Sequence, residues 1–221
     1  MLNKSYLRRY FIFLVGLVFN GFGVSLITKA SLGTSPISSI PYVLSLSFKP
    51  TIGEFTIIFS CLLILLQIIL LQKKFPLQSL LQFPVSILFG EFIDAGMYIL
   101  SAFQPDDMLI CLLSLLLGCL VLGFGVYLEV IADVVMLPGE AFVKAVNIKF
   151  HTEFGSTKMC FDTTMSVIAG LLSFVFTHKH QGVGAGTIIA ALLVGYVARQ
   201  IAKIESLKSV LLNESYLNEV V

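Results

Sequence analysis

The chain of 221 residues is 57% hydrophobic and only 12% charged, and its mean hydropathy is +0.96. Soluble domains are usually about 25% charged, so this composition excludes a soluble globular protein and predicts an integral membrane protein. The formal net charge of +1 comes without a basic patch, which gives no reason to expect a nucleic-acid partner. The partner that composition predicts is the lipid bilayer.

Six stretches are long enough to cross a membrane as helices, which takes about 20 mostly apolar residues. The first follows Lys4, Arg8 and Arg9, as in a signal peptide. Its apolar run is too long for a signal peptide and further spans follow, so we expect an uncleaved helix. The six predicted spans are residues 10–29, 53–72, 79–101, 108–131, 157–177 and 183–203.

Two further apolar segments are too short to cross. Each begins at a proline that follows a span, at Pro36 after the first span and at Pro138 after the fourth. We expect short re-entrant or interfacial helices over residues 36–48 and 138–148. With the six spans, these segments predict an all-α integral membrane protein.

The short segments belong to an internal repeat with a shift of 102 positions (138 − 36). Each unit reads span, short helix, span, span, so residues 1–103 form a first half and residues 104–203 a second. Residues 204–221 would be a cytoplasmic tail. The shift places Gly16, Gly21, Gly23 and Gly53 on Gly118, Gly123, Gly125 and Gly155. With a three-residue insertion, the third spans align so that Gln82, Gly90 and Asp94 fall on Thr187, Gly195 and Arg199.

Three spans per half is an odd number, so the second half must enter the membrane from the opposite side. This predicts a 3+3 inverted repeat, the architecture of many secondary transporters. With the N-terminus in the cytoplasm, only Lys29, Lys49 and Lys179 of the 14 Lys and Arg residues lie outside. Such an inside bias predicts that both termini are cytoplasmic.

The first-half turn, LGTSP, is a candidate binding site. Thr34 and Ser35 are good N-cap residues, and Pro36 suits the first position of a helix. The free amide groups at such a helix start favour an anion or a carboxylate. The alternative is that the short helix only packs against its neighbours.

The second-half turn differs in charge. It runs Pro138, Gly139, Glu140 and lacks the Ser/Thr cap. Glu140 is favoured there by the helix dipole alone, but its carboxylate could also take a cation or a proton. Two turns of opposite preference would suit a zwitterionic or proton-coupled solute.

Acidic side chains within spans cost about 2.5–3.5 kcal/mol at a helix centre, which makes them functional candidates. Glu91 and Asp94 share a helix face, and Asp162 lies in the fifth span. We assign these three to ion or proton coupling, with a proton relay or a buried pair foreseen for Glu91. For Asp162 the alternative is a pair with Lys158 near the interface. Nearer the end of the fourth span, Glu129 and Asp133 are expected in headgroup water.

Other chemistry finds no support in the sequence. The four cysteines lie in or beside apolar runs without metal-ligand spacing, and are expected to pack as small apolar residues. The HKH at residues 178–180 has no acid or cysteine nearby. No catalytic motif occurs, so we expect neither an enzyme nor a cofactor or metal.

The segments GFGVSLITKASLGTSP, VVMLPGE with FGSTKMCFD, and GTIIAALLVGYVAR resemble those of the YczE/YyaS/YitT-type bacterial membrane proteins. The resemblance runs from about residue 10 to residue 203. It implies a multi-pass inner-membrane protein with repeated halves, from a family without a settled activity. Glu140 fills a position where the family usually has an acid. In the first half Ser38 stands where an acid is frequent, and Val135 stands where a glycine is usual.

We expect a small secondary transporter or exporter of a small polar solute that works between the halves, with proton coupling as an option. The alternative is an accessory or scaffold protein that transports nothing. Six spans enclose little space, so a homodimer is left open as the transporting unit.

Overall fold

The computed structural model describes residues 4–177 and 182–204, and within them it contains helices and no strand. Two short 3-10 segments, Gln72–Lys74 and Leu77–Leu81, join the third and fourth helices. The HKH and nearly all of the predicted tail lie outside the described residues. The α-helices are α1 (Lys4–Lys29), α2 (Pro36–Ser47), α3 (Ile52–Leu71), α4 (Gln82–Ile99), α5 (Met108–Ala132), α6 (Pro138–Phe150), α7 (Phe154–Thr177) and α8 (Ala185–Ala202).

Six helical segments of the described chain are long and apolar enough to span a membrane, which confirms the predicted spans. The two short helices are also confirmed, as α2 and α6. The membrane-capable segments are Tyr6–Lys29, Ile52–Lys74, Leu77–Ile99, Met108–Ala132, Phe154–Phe176 and Ala185–Ala202.

Local sequence signals fix several helix starts. Thr51 and Glu54 form a reciprocal capping box at the start of α3. The side chain of Asp107 accepts the Leu109 N–H at the start of α5. Both short helices instead begin with proline, whose missing N–H costs nothing in the first turn. Their first turns therefore carry no side-chain cap.

The centre of the molecule is an antiparallel pair, α1 and α5. Arg9 Nη1 donates to Ala132 O at 3.3 Å, which joins the start of α1 to the end of α5. Glycines bring the two backbones close: a Cβ on Gly118 would lie 2.7 Å from Ile27 Cγ1, and one on Gly16 would lie 3.0 Å from Leu128 Cβ. Gly16 and Gly118 are equivalent positions in the two halves.

The contacts around this pair repeat when the halves are exchanged. α4 packs on α1 as α8 packs on α5, and α2 packs on α7 as α6 packs on α3. In detail, Gly21 abuts Phe92 and Gly123 abuts Val197. These are equivalent contacts under the alignment with the three-residue insertion. An approximate two-fold axis between the halves would produce this reciprocity. The inverted orientation of the halves across a bilayer stays a prediction, which the reciprocity supports.

Candidate ion and solute sites

The first-half turn is buried, and its polar groups are hydrogen-bonded to hydroxyl groups. Thr34 and Ser35 are buried, as is Pro36. Thr34 Oγ1 shares a hydrogen bond of 2.7 Å with Thr28 Oγ1, and the Thr34 N–H donates to Thr187 Oγ1 at 3.3 Å. The predicted anion-binding residues are therefore together at one place, but Thr34 is hydrogen-bonded to Thr28 and Thr187, and the Ser35 hydroxyl donates to Ser38 Oγ at 2.9 Å.

Gly33 allows this closure. Its φ of +129° is a conformation that side-chain-bearing residues rarely adopt, and a Cβ there would lie 2.5 Å from Thr187 Oγ1. The neighbouring Leu32 O accepts the Gly186 N–H at 2.9 Å. The start of α8 is thus docked on the first-half turn.

The second-half turn is held by two glutamines in the equivalent way. Gln67 Nε2 donates to Pro138 O at 3.2 Å and to Gln82 Oε1 at 3.0 Å. Both glutamines are about 2% exposed. Gln82 begins α4 and is the counterpart of Thr187 at the start of α8. Thr187 therefore bonds the turn of the other half directly, whereas Gln82 reaches the other turn through Gln67.

Polar groups without partners lie between α1 and α5 near this second turn. Glu129 is only 6% exposed and its Oε1 has no hydrogen-bond partner among the described residues. The amide of Asn20, 1% exposed, lies close enough to this carboxylate to interact with it, but its Nδ2 and Oδ1 make no hydrogen bond of standard geometry within the described chain. The buried Tyr127 hydroxyl is a third such group. The expectation of headgroup water fits the exposed Asp133 but is wrong for Glu129.

Glu140 lies close to a charged pair on α7. Its pKa is raised by burial; Lys158 opposes the shift and Asp162 adds to it. Lys158 Nζ lies 2.8 Å from Asp162 Oδ1, in side chains that are 28% and 17% exposed. Glu140 also acts electrostatically on Glu129. We call Glu129, Glu140, Lys158 and Asp162 the acid cluster.

The first half has no counterpart of this charge. Subtracting 102 from the cluster positions gives a leucine-sized apolar residue and three hydroxyls, all buried. These are Ile27, Ser38, Thr56 and Ser60. The two halves share a backbone plan, but only one carries ionisable groups at this place. Any site for a cation or proton is therefore asymmetric.

The other predicted acids lie elsewhere. Asp94 accepts hydrogen bonds from Thr51 Oγ1 and from the Gly53 N–H, so it caps the start of α3. Glu91 is exposed on α4 without a partner among the described residues. No group of three His, Cys, Asp or Glu within the described chain is arranged to hold a metal ion.

Two open spaces border these elements. A cavity of about 900 Å³ lies around the end of α1 and the start of α3, where Lys29, Lys49, Asp94 and Asp106 line it. A groove of about 700 Å³ runs between α3 and α7 over α2 and α6, with an apolar lining. We call this second space the axial groove.

Comparisons with known proteins agree with this architecture. Residues 7–203 match the model of a family described as a "Family of unknown function (DUF6198)". The chain belongs to this family. A relative in Bacillus subtilis (strain 168), named "Uncharacterized membrane protein YczE", is 26% identical over 199 residues, covering 90% of this chain and 87% of its own. No solved structure matches. The family assignment confirms the resemblance seen in the sequence. The description of the family names no activity.

Sequence reasoning found Glu140 and Asp162 and missed Asn20, Tyr127 and Glu129. The missed signal was available in the repeat. Glu129 stands where the first half has Ile27, a position that the glycine-rich α1–α5 contact buries. Packing alone does not account for an acid at a position where the other half has a buried isoleucine.

Proposed function

We propose that this membrane protein is a small secondary transporter of a small polar solute, with proton or cation coupling at the acid cluster. Both termini would be cytoplasmic in a bacterial inner membrane, as the Lys and Arg distribution favours. The acid cluster would then lie at the cytoplasmic end of α5 and face the start of α7.

The observation that carries the proposal is the buried carboxylate of Glu129, whose Oε1 has no hydrogen-bond partner among the described residues. An ionised carboxylate in an apolar interior is strongly disfavoured unless it is paired or hydrogen-bonded. Intramembrane acids therefore mark ion paths or proton relays by default. Glu129 has Glu140 as an electrostatic neighbour, and neither has a cation as close as Lys158 is to Asp162.

Charge counting gives the preference of the cluster. Three carboxylates and one ammonium sum to −2 when all are ionised (1 − 3). The cluster therefore gains from taking up a proton or a cation, and a carboxyl group that alternates between a proton and a solute can couple their movements. The closed first-half turn offers no comparable charge.

The test uses purified protein in liposomes with a trapped pH-sensitive dye. Small anions, zwitterions and cations are added outside in turn, and proton movement is recorded. We expect one class to move protons in the wild type, and Glu129→Gln and Glu140→Gln to abolish the signal. Asp133→Asn is the matched control, because Asp133 is an exposed acid near Glu129 and should leave the signal intact. Protein-dependent proton movement that both Gln variants retain would contradict the proposal.

A second function, that of an accessory protein that supports a membrane partner, is favoured by Glu91. It is exposed near the middle of α4, where contact with lipid costs an acid about 2.5–3.5 kcal/mol. A partner helix with a basic group would remove that cost. Cross-linking in native membranes from a cysteine placed at Leu88, an exposed residue one turn before Glu91, tests this function. Capture of one protein by this variant, lost when Glu91→Gln is added, would favour the accessory role over transport.

A further inference from the structure

The axial groove lies where the two halves meet. Its lining consists of sixteen described residues, and they form eight pairs that are each 102 positions apart. Every residue that the first half contributes is matched by its counterpart from the second. The groove therefore coincides with the approximate two-fold axis, where transporters with inverted repeats hold their substrates. Examples of the pairs are Ile40 with Phe142, Phe59 with Phe161, and Leu63 with Met165.

The lining of the axial groove favours an apolar occupant. Among the described lining residues, the side chains with polar atoms are Thr157, Cys160 and Thr164. Both hydroxyls already have partners one turn earlier: Thr157 donates to Glu153 O at 2.9 Å and Thr164 to Cys160 O at 2.8 Å. α3 and α7 make little contact with each other, so the space between them stays open. A body without hydrogen-bonding groups fits it.

The acid cluster adjoins this groove through one aromatic wall. Phe161 lines the groove and is followed directly by Asp162. Lys158 Nζ is 5.9 Å from the Phe161 ring centroid, on the cluster side. The Phe142 ring, two residues after Glu140, lies 5.5 Å from that of Phe161. An occupant of the groove is thus one side chain away from the carboxylates.

We propose that the axial groove and the acid cluster form one site for an amphipathic cation, with its apolar body in the groove and its positive charge toward Glu140 and Glu129. The inference rests on the proposed function, because it names the solute class that the cluster would take. It narrows the expected small polar solute to a cation with an apolar body.

Charge and shape both enter this choice. The ionised cluster carries a net −2, so it repels an anion and favours a cation. The Phe142 and Phe161 rings can in addition attract a cation through their faces. A lipid acyl chain would use only the groove and gain nothing from the carboxylates. A second copy of the chain would cover the groove without a charge for the unpartnered Glu129.

The test exploits the absence of tryptophan from the chain. Phe59→Trp places a single fluorophore in the groove, and Leu62→Trp serves as a second reporter. Ile69→Trp, on the outer face of α3 and away from the groove lining, is the control. Tetraphenylphosphonium and tetraphenylborate are the probes, since they have nearly the same apolar body and opposite charge.

We expect saturable quenching of the groove reporters by tetraphenylphosphonium and not by tetraphenylborate. Adding Glu140→Gln should weaken the affinity at least about tenfold, since it removes a charge that the site directs at the probe. Adding Thr164→Phe, which fills the groove, should weaken it without changing the cluster. Thermal unfolding confirms that each variant is folded.

Three results would overturn the inference. Equal quenching by both probes, unaffected by Glu140→Gln, would identify an apolar groove for acyl chains. Quenching that only follows the control reporter would show that the groove takes no ligand. Groove fluorescence that changes with protein concentration alone would identify a second copy as the occupant. If any of these occurs while Glu140-dependent proton movement persists, the solute class falls and the coupling function stands.

Discussion

Ile37 and Gly139 occupy equivalent positions in the two halves, and they touch: a Cβ on Gly139 would overlap Ile37 Cδ1. A residue that contacts its own equivalent lies on the axis that relates the two copies. The first turns of α2 and α6 therefore meet there, beside the axial groove. The second residue of each short helix is small in one half and large in the other, and the pair fills one space.

The glycines between α1 and α5 should resist enlargement. A Cβ on Gly23 would lie 2.7 Å from Leu122 N and 2.8 Å from its Cα, which are backbone atoms that cannot rotate away. We expect Gly23→Ala to destabilise the protein by about 1–3 kcal/mol. Gly170→Ala on α7, where nothing lies within 4 Å, should be neutral or stabilising by about 0.5–1 kcal/mol. Thermal unfolding in detergent compares the two, and equal effects would contradict the packing described.

Asp94 should be a stability residue. Asp94→Ala leaves the Thr51 hydroxyl and the Gly53 N–H without their acceptor at the start of α3. We expect a loss of about 1–3 kcal/mol. The control on the same helix is Glu91→Ala, because Glu91 is exposed and unpartnered in the described chain. Loss of proton movement in a fully stable Asp94→Ala protein would instead restore the ion-coupling role predicted from sequence.

The glutamine pair should behave as one unit. Gln67→Leu leaves Pro138 O and the Gln82 amide without partners in a buried place, at a cost of about 1–3 kcal/mol for each group. Adding Gln82→Leu removes the Gln82 amide that the first substitution left without a partner. The double variant should therefore lose less stability than the sum of the two single losses. A thermodynamic cycle of unfolding free energies measures the coupling, and strict additivity would count against it.

Glu140 should make stability fall as pH rises. Burial holds its pKa above the ordinary value of 4.5, so the folded state retains a proton that the unfolded state releases. That contribution is complete below the unfolded pKa and is lost as pH rises through the folded one. Between the unfolded and the folded pKa, the melting temperature of Glu140→Gln should change less with pH than that of the wild type.

Glu153 supplies a control of opposite sign. Hydrogen bonds from Ser156 and from the Gly155 N–H lower its pKa below 4.5, so its contribution is present above that pH and is lost as pH falls through the lowered pKa. Glu153→Gln should therefore alter only the acid end of the profile. If both Gln variants shift the melting temperature equally at every pH, the assignment of the Glu140 effect to titration fails.

The sequence predicted the helices well, because local composition determines where spans and short helices form. Length and apolarity identified the six spans, and Pro36 and Pro138 marked the short helices that follow. The shift of 102 predicted equivalent positions, and the contacts of these positions correspond in the structure: Gly16 meets Leu128 as Gly118 meets Leu26.

The candidate site was harder to predict, because depth along a helix does not determine which face is buried. Glu91 lies near the middle of its span and is exposed, whereas Glu129 lies near a helix end and is 6% exposed. The packing of neighbouring helices determines the exposure of both residues: α1 covers Glu129, and no described element covers Glu91. Such pairing across the halves is a tertiary property that hydropathy does not carry.

The backbone contact between α1 and α5 limits how the molecule can move. Helices that meet through glycines interlock, so neither can slide or roll past the other without collision at Gly16, Gly23 or Gly118. α3 and α7 are mostly exposed and scarcely touch each other. In the proposed transporter, the central pair would be the stationary part, and α3 and α7 would be the helices that move.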